Sequence, residues 1–279
     1  MGMPHIERDL KALAARVEQI AAAKALRTMA DPVEWTHRLS TVNYELDAWQ
    51  QDYLRSTAKR EILLCSRQVG KSSTSALKAA HIVRGGGLCF CLAPTQRQAA
   101  LLFRQISDHL VADNAAFTRI TQTELELKNG GHAISLGTDR PSGIRGHTLV
   151  HPGDAVMLLD EAAFCRDEVW PVIMPFLASA PRARLVLLST PCGPSGEFHR
   201  VWTEGGDDWN RVRVPATECS RISPEFLAQE EMRLGPDLYA QEFMCEFVQP
   251  AGAFFSSDLV KSMFDGNSET ALAAMFAAE

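Results

Sequence analysis

The segment Cys65-Ser66-Arg67-Gln68-Val69-Gly70-Lys71-Ser72 constrains the fold of this chain more than any other stretch. It follows the apolar run Glu61–Cys65, which reads as a buried strand, and precedes Ser72–Val83, whose apolar spacing reads as a helix. A loop of the G-x-x-x-x-G-K-[ST] type at a strand-to-helix junction turns successive backbone N–H groups toward one point. The dipole of the following helix adds positive potential there, so the loop becomes a cradle for phosphate oxygens. Lys71 is spaced to reach the β- and γ-phosphates, Ser72 to put its hydroxyl on Mg²⁺, and Gly70 to let the backbone approach closely. Ser66, Gln68, Val69 and Ser73 complete the candidate phosphate-binding set. The first position of the pattern holds Cys65 in place of glycine. A Gly-Lys-Ser at such a junction also arises by chance, so the rest of the chain decides.

The surrounding pattern is an alternation of short apolar runs and longer helical segments. Leu88–Ala93, Ala155–Leu159 and Arg184–Ser189 read as strands, with Arg211–Val214 a further one. Thr95–Val111 reads as a helix with Leu101, Leu102, Ile106 and Leu110 facing inward. Glu124–Leu127 and Ala133–Leu136 read as a hairpin turning at Asn129-Gly130. Alternation of this kind predicts a mostly parallel sheet over about 60–215, covered on both faces. Helices are expected at either end: 5–29, closed by Asp31-Pro32; Tyr44–Ser56; Pro224–Leu234; Pro236–Phe243; and 269–278.

Composition narrows the class. Apolar residues make up 46% and charged residues 22%, an ordinary globular balance. No apolar run approaches the ~20 residues that span a bilayer, and the charged N-terminus lacks a secretory signal; a cytoplasmic location is the expectation. The seven cysteines lie mostly in apolar stretches and offer no second Cys/His pair at ligand spacing, so they read as reduced core thiols. A net charge of −6 argues against a constitutively tight, nonspecific nucleic-acid binder.

Two further strand ends bear on the phosphate loop. Val156-Met157-Leu158-Leu159-Asp160-Glu161 is an apolar strand ending in two carboxylates. Parallel sheets place ligands at the carboxyl ends of their strands. Asp160 there would hold Mg²⁺, and Glu161 would polarise a water attacking the γ-phosphate. Acids in a first helical turn, suiting its dipole, are the alternative. Leu185–Leu188 ends in Ser189-Thr190-Pro191, whose hydroxyls could sense the γ-phosphate and pass its loss to a moving element.

With these pieces assembled the sequence resembles the large terminase subunits of tailed phages and prophages. The resemblance is carried by Trp49-Gln50, Ser66–Ser72, Ser142-Gly143-Ile144-Arg145-Gly146, Leu158–Phe164, Leu188–Pro191 and Tyr239–Phe247, in order. An arginine-containing phosphate loop without the first glycine is itself characteristic of that family. The resemblance implies an α/β P-loop NTPase fold of the ASCE/RecA-like kind, with N-terminal helices and a helical C-terminal subdomain. It implies an ATPase, with ATP and Mg²⁺ as cofactors, that packages viral double-stranded DNA into a procapsid. By it, Gln50 would contact adenine, Arg67 would contact phosphates or steady the transition state, and Arg145 would be an arginine finger.

The expected organisation is an N-terminal helical segment (1–44), the ATPase core (45–218), a helical lid (219–250) and a tail (251–279) where a nuclease would begin. Asp258 and Asp265 stand in polar, turn-like surroundings with no following strands to gather further carboxylates, so nuclease activity is not expected. The implied partners are DNA, a portal protein, the small terminase subunit and further copies in a ring; no membrane is implied. A helicase-like ATPase and a catalytically impaired assembly subunit are the alternatives.

Overall fold

Eight strands carry the apolar runs: β1 (Arg60–Cys65), β2 (Leu88–Ala93), β3 (Phe117–Ile120), β4 (Glu124–Leu127), β5 (His132–Gly137), β6 (Ala155–Asp160), β7 (Ala183–Ser189) and β8 (Asn210–Val214). The computed structural model describes residues 31–147, 151–180 and 182–249. The helices expected over 5–29 and 269–278 lie outside these residues, as do Asp258 and Asp265. The strands form one sheet of order β3-β4-β5-β2-β6-β7-β1-β8. From β5 to β8 in that order every neighbour is parallel, whereas β3 and β4 run antiparallel at one edge.

Nine α-helices are described: α1 (Pro32–Thr36), α2 (Ala48–Arg55), α3 (Lys71–Arg84), α4 (Gln96–Ala112), α5 (Pro141–Ile144), α6 (Trp170–Ser179), α7 (Gly196–Glu204), α8 (Pro224–Leu234) and α9 (Pro236–Met244). They cover both faces of the sheet, and the strand periodicity shows how. In β1, Leu63 and Cys65 pack into one core with Leu54, Leu77 and Leu102 of α2, α3 and α4. Ile62 and Leu64 point the other way, into a second core with Ile173 of α6 and Val201 of α7. Burial on both faces is why these strands are continuous apolar runs rather than alternating ones. Among the described residues no helix is long and apolar enough to cross a membrane.

One expectation is corrected, and two are extended. Leu102, Ile106 and Leu110 recur every fourth residue and are buried, but Leu101, turned about 100° from Leu102, is 53% exposed. Asp31-Pro32 begins a helix: Asp31 Oδ1 accepts from Val33 N at 2.8 Å and Glu34 N at 3.1 Å, with proline at the first helical position. The hairpin at Asn129-Gly130 is present, but its second strand, β5, also pairs parallel with β2, and a further strand, β3, extends the edge. Gly130 supplies the turn's left-handed residue at φ 88°.

Helices α8 and α9 share a small core of Leu227 and Phe243 with Phe226 and Tyr239. Two contacts tie its end to the sheet: Arg213 donates to the Met244 carbonyl at 2.6 Å and Cys245 Sγ to the Val214 carbonyl at 3.3 Å.

The most deeply buried ion pair locks α3 to β1. Lys78 Nζ donates to Glu61 Oε2 at 2.5 Å and to the Tyr53 and Ser56 carbonyls at 2.7 and 3.1 Å. All three ammonium protons are thereby used. Burial pulls the Lys78 pKa down, and the adjacent Glu61 carboxylate opposes that pull. Removing one partner strands a buried charge. Lys78→Met is therefore expected to cost about 3–5 kcal/mol in urea denaturation, with Glu61→Leu added to it restoring much of the loss. A single variant as stable as the parent would refute this reading of the pair.

Candidate active site

Strand register brings the motif ends to one edge of the sheet. Leu64 of β1 pairs with Ser189 of β7, and Leu188 of β7 pairs with Asp160 of β6. The carboxyl ends of three neighbouring strands thus stand level, with the loop after β1 beside the acids after β6.

The loop itself combines two left-handed residues, Gln68 at φ 63° and Gly70 at φ 92°, with a buried anchor, Val69. Such reversals turn backbone N–H groups inward as an anion-binding concavity. Ser66 is buried; its N–H donates to Val214 O at 2.9 Å and its hydroxyl to Arg67 O at 3.2 Å. Gly70 is required twice over: by its φ, and because a Cβ there would stand 2.9 Å from Gln50 Nε2. Lys71, Ser72 and Ser73 form the first turn of α3.

Ser72 Oγ donates to Asp160 Oδ2 at 2.8 Å, while Asp160 Oδ1 accepts from Glu161 N at 2.9 Å. Burial raises the Asp160 carboxyl above the usual carboxylate range; the Lys71 charge and the Ser72 hydrogen bond pull it back, and Glu161 pushes it further up. Glu161 adopts a left-handed backbone, φ 51° and ψ 44°, rare for a residue with a side chain. Its carboxylate meets Lys71, with Nζ to Oε1 at 3.0 Å. Ser189 Oγ accepts from Ala163 N at 3.2 Å, joining the end of β7 to the turn that follows Glu161. Thr190 and Pro191 are buried behind it.

Of three residues assigned by resemblance, Gln50 lies against Gly70, Arg67 belongs to the loop itself and Arg145 lies elsewhere. Gln50 is fully buried: its Oε1 accepts from Asp47 N at 2.9 Å and its Nε2 donates to Thr74 Oγ1 at 2.8 Å. Both ends of the amide brace α2 against α3. Arg67 is exposed and paired with Glu242 of α9, Nε to Oε2 at 2.6 Å, while its N–H donates to Glu242 O at 3.0 Å. Arg145 is exposed at the end of α5, after β5. β5 stands four places from β1 in the sheet, roughly 19 Å at ordinary strand spacing. The strand that Arg145 follows is thus well separated from the strand that leads into the phosphate loop.

Sequence reading missed Arg221. Its guanidinium donates to the Val69 carbonyl at 3.0 Å and pairs with Asp47 Oδ2 at 2.9 Å. A single arginine in a polar stretch before an N-capped helix carries no pattern that would single it out.

Comparison with known proteins bears on the family and the fold. The chain is 25% identical over 242 residues to the terminase large subunit of Thermus phage G20c, covering 72% of this chain and 48% of that protein. A second relative, the terminase large subunit of Thermus virus P23-45, is also 25% identical, over 241 residues. The chain thus spans about half the length of the curated relatives it matches. Among solved structures, the large terminase ATPase domain of Thermus phage P74-26 superposes with a TM-score of 0.62 at 23% identity, covering 74% of this chain and 95% of that one. The large terminase of another thermophilic bacteriophage, in complex with ADP, gives 0.60 at 14% identity, covering 73% and 54%. Both superpositions concern the fold. Residues 62–262 match the family described as terminase large subunit, T4likevirus-type, N-terminal, and the chain belongs to that family.

Proposed function

We propose that this chain hydrolyses ATP and couples hydrolysis to movement of viral double-stranded DNA into a procapsid. Family membership supports the kind of work. The observation that carries the chemistry is the meeting of Lys71 with Glu161 and of Ser72 with Asp160 at one edge of the sheet.

Ser72 and Asp160 present hard oxygen donors side by side, a set that fits Mg²⁺. Bound there, the ion would neutralise phosphate charge. The backbone N–H groups of Gln68–Gly70 and the ammonium of Lys71 hold the phosphates. Glu161 orients a water and takes its proton as the water oxygen attacks the γ-phosphorus and the bond to ADP breaks. Arg67, at the loop's rim, supplies charge to the transferring group. Ser189, bonded to Ala163 two residues beyond Glu161, passes the change at the acids to β7, with Thr190 and Pro191 fixing that strand's exit. Gln50 braces the loop through Thr74, and an adenine contact is the role that family membership supports for it.

The separation of β5, which Arg145 follows, from β1 supports a finger offered to a neighbouring copy, and so a ring. The portal, the small subunit and DNA are the partners that family membership supports, and host cytoplasm is the setting. Residues 45–218 would hydrolyse and 219–250 would act as the lid. A two-metal nuclease site is no part of the chemistry proposed for this chain.

Purified chain with Mg²⁺ is expected to release phosphate from ATP, with Glu161→Gln lowering turnover by about 10²–10⁴-fold and Lys71→Ala abolishing it. Unchanged turnover in both variants would overturn the site. Arg145→Ala is expected to lose about 10³-fold or more, and mixing it with Glu161→Gln chains should recover activity. No recovery at any mixing ratio excludes the finger in trans. Plasmid DNA incubated with the chain and Mg²⁺ or Mn²⁺ should remain uncut.

A further inference from the structure

The peptide joining Val69 to Gly70 is held by a residue from far along the chain. A peptide is planar and trans, and no cis bond occurs among the described residues, so Val69 C=O and Gly70 N–H point in opposite directions. Whatever fixes the carbonyl therefore aims the N–H. Arg221 fixes the carbonyl, donating to Val69 O at 3.0 Å. The next peptide is fixed from within α3: Gly70 O accepts from Thr74 N and Thr74 Oγ1, both at 2.9 Å. That bond aims the Lys71 N–H by the same reasoning. Of two successive peptides in the cradle, one is set locally and the other by a remote side chain.

Arg221 is itself held. Its other terminal nitrogen pairs with Asp47 Oδ2 at 2.9 Å, and its guanidinium lies 5.7 Å from the centre of the Tyr44 ring. Asp47 N donates to Gln50 Oε1, and Gln50 Nε2 donates to Thr74 Oγ1, so the bonds return to the Gly70 carbonyl. The arginine, the start of α2 and the first turn of α3 thus enclose the Val69–Gly70 corner. The guanidinium fork is what lets one side chain serve a carboxylate and a carbonyl together.

We propose that Arg221 is a positioning residue for phosphate binding, orienting the Gly70 N–H toward a phosphate oxygen by pinning the Val69 carbonyl. The proposal rests on the nucleotide-site reading above. It acts on the loop rather than on a base or ribose, so its effect extends to ligands that are phosphate chains alone. Removal weakens phosphates in ground state and transition state alike, which raises KM and leaves kcat in place.

The test is calorimetric titration of the full chain with ADP and with inorganic tripolyphosphate, each with Mg²⁺, alongside steady-state ATPase. Arg221→Ala is expected to weaken both ligands by about tenfold, the weight of one charge-assisted hydrogen bond. KM for ATP should rise by a similar factor while kcat stays within about twofold. Arg221→Lys, which can serve only one partner well, should recover part of the loss, and Asp47→Asn should weaken both ligands in the same direction. If Arg221→Ala proves unfolded by circular dichroism, the lysine and Asp47→Asn variants carry the same comparison. An unchanged tripolyphosphate affinity overturns the proposal: with weakened ADP it assigns Arg221 to the base or ribose, and with unchanged ADP it leaves Arg221 no role in binding. If Lys71→Ala also leaves tripolyphosphate binding unaltered, it is the nucleotide-site reading that falls.

Discussion

A parallel sheet covered by helices on both faces leaves its strand ends as the places where polar groups can gather. That constraint organises this molecule. The side chains of β1, β6 and β7 are almost wholly consumed by two cores. Chemistry is confined to the residues immediately beyond the strands' carboxyl ends. Because the strands are in register there, a hydroxyl on α3 and a carboxylate ending β6 come to lie 2.8 Å apart although they are distant in sequence. The loop, the acids and the β7 exit are short extensions of a rigid frame, the arrangement that holds reacting groups with little loss of precision.

Two of those extensions bear backbone strain. Glu161 sits in the left-handed region, as does Gln68 in the loop. Conformations of this kind cost on the order of 1–3 kcal/mol for residues with side chains, and they persist where neighbouring structure over-determines them. For Glu161 the restraints are visible: its own N–H to Asp160, its carboxylate to Lys71, and the following turn tied to Ser189. The strain aims a carboxylate at the phosphate loop rather than away from it.

Much of this was legible in the sequence. The strands announced themselves because burial on both faces leaves no polar positions, and the three motif ends could be assigned because each closes such a run. What escaped has physical reasons. Leu101 belongs to an apolar pair on α4 of which only one member can face inward. Asp31-Pro32 can close one helix or open another, and sequence alone does not distinguish these uses. β3 is short and mostly exposed, so it lacks the apolar signature of the central strands. The bracing of α2 against α3 by Gln50 depends on Thr74, 24 positions on, and leaves no local pattern. Arg221 acts through a backbone carbonyl 152 positions away, a relation that leaves no local pattern.

The sheet order also governs how the chain comes to be folded. β1 is made early, yet both of its neighbours, β7 and β8, lie far downstream. During synthesis the nascent phosphate-loop strand must wait for more than a hundred further residues, roughly 6–25 s at ribosomal speed, before either partner exists. Through that interval Ile62, Leu63 and Leu64 lack both strand partners, and unpaired β-prone segments are the kind of surface that aggregates when chaperones are scarce. The interior position of β1 between two late strands thus delays its pairing, and the yield of folded chains becomes a matter of translation and chaperone capacity as much as of final stability.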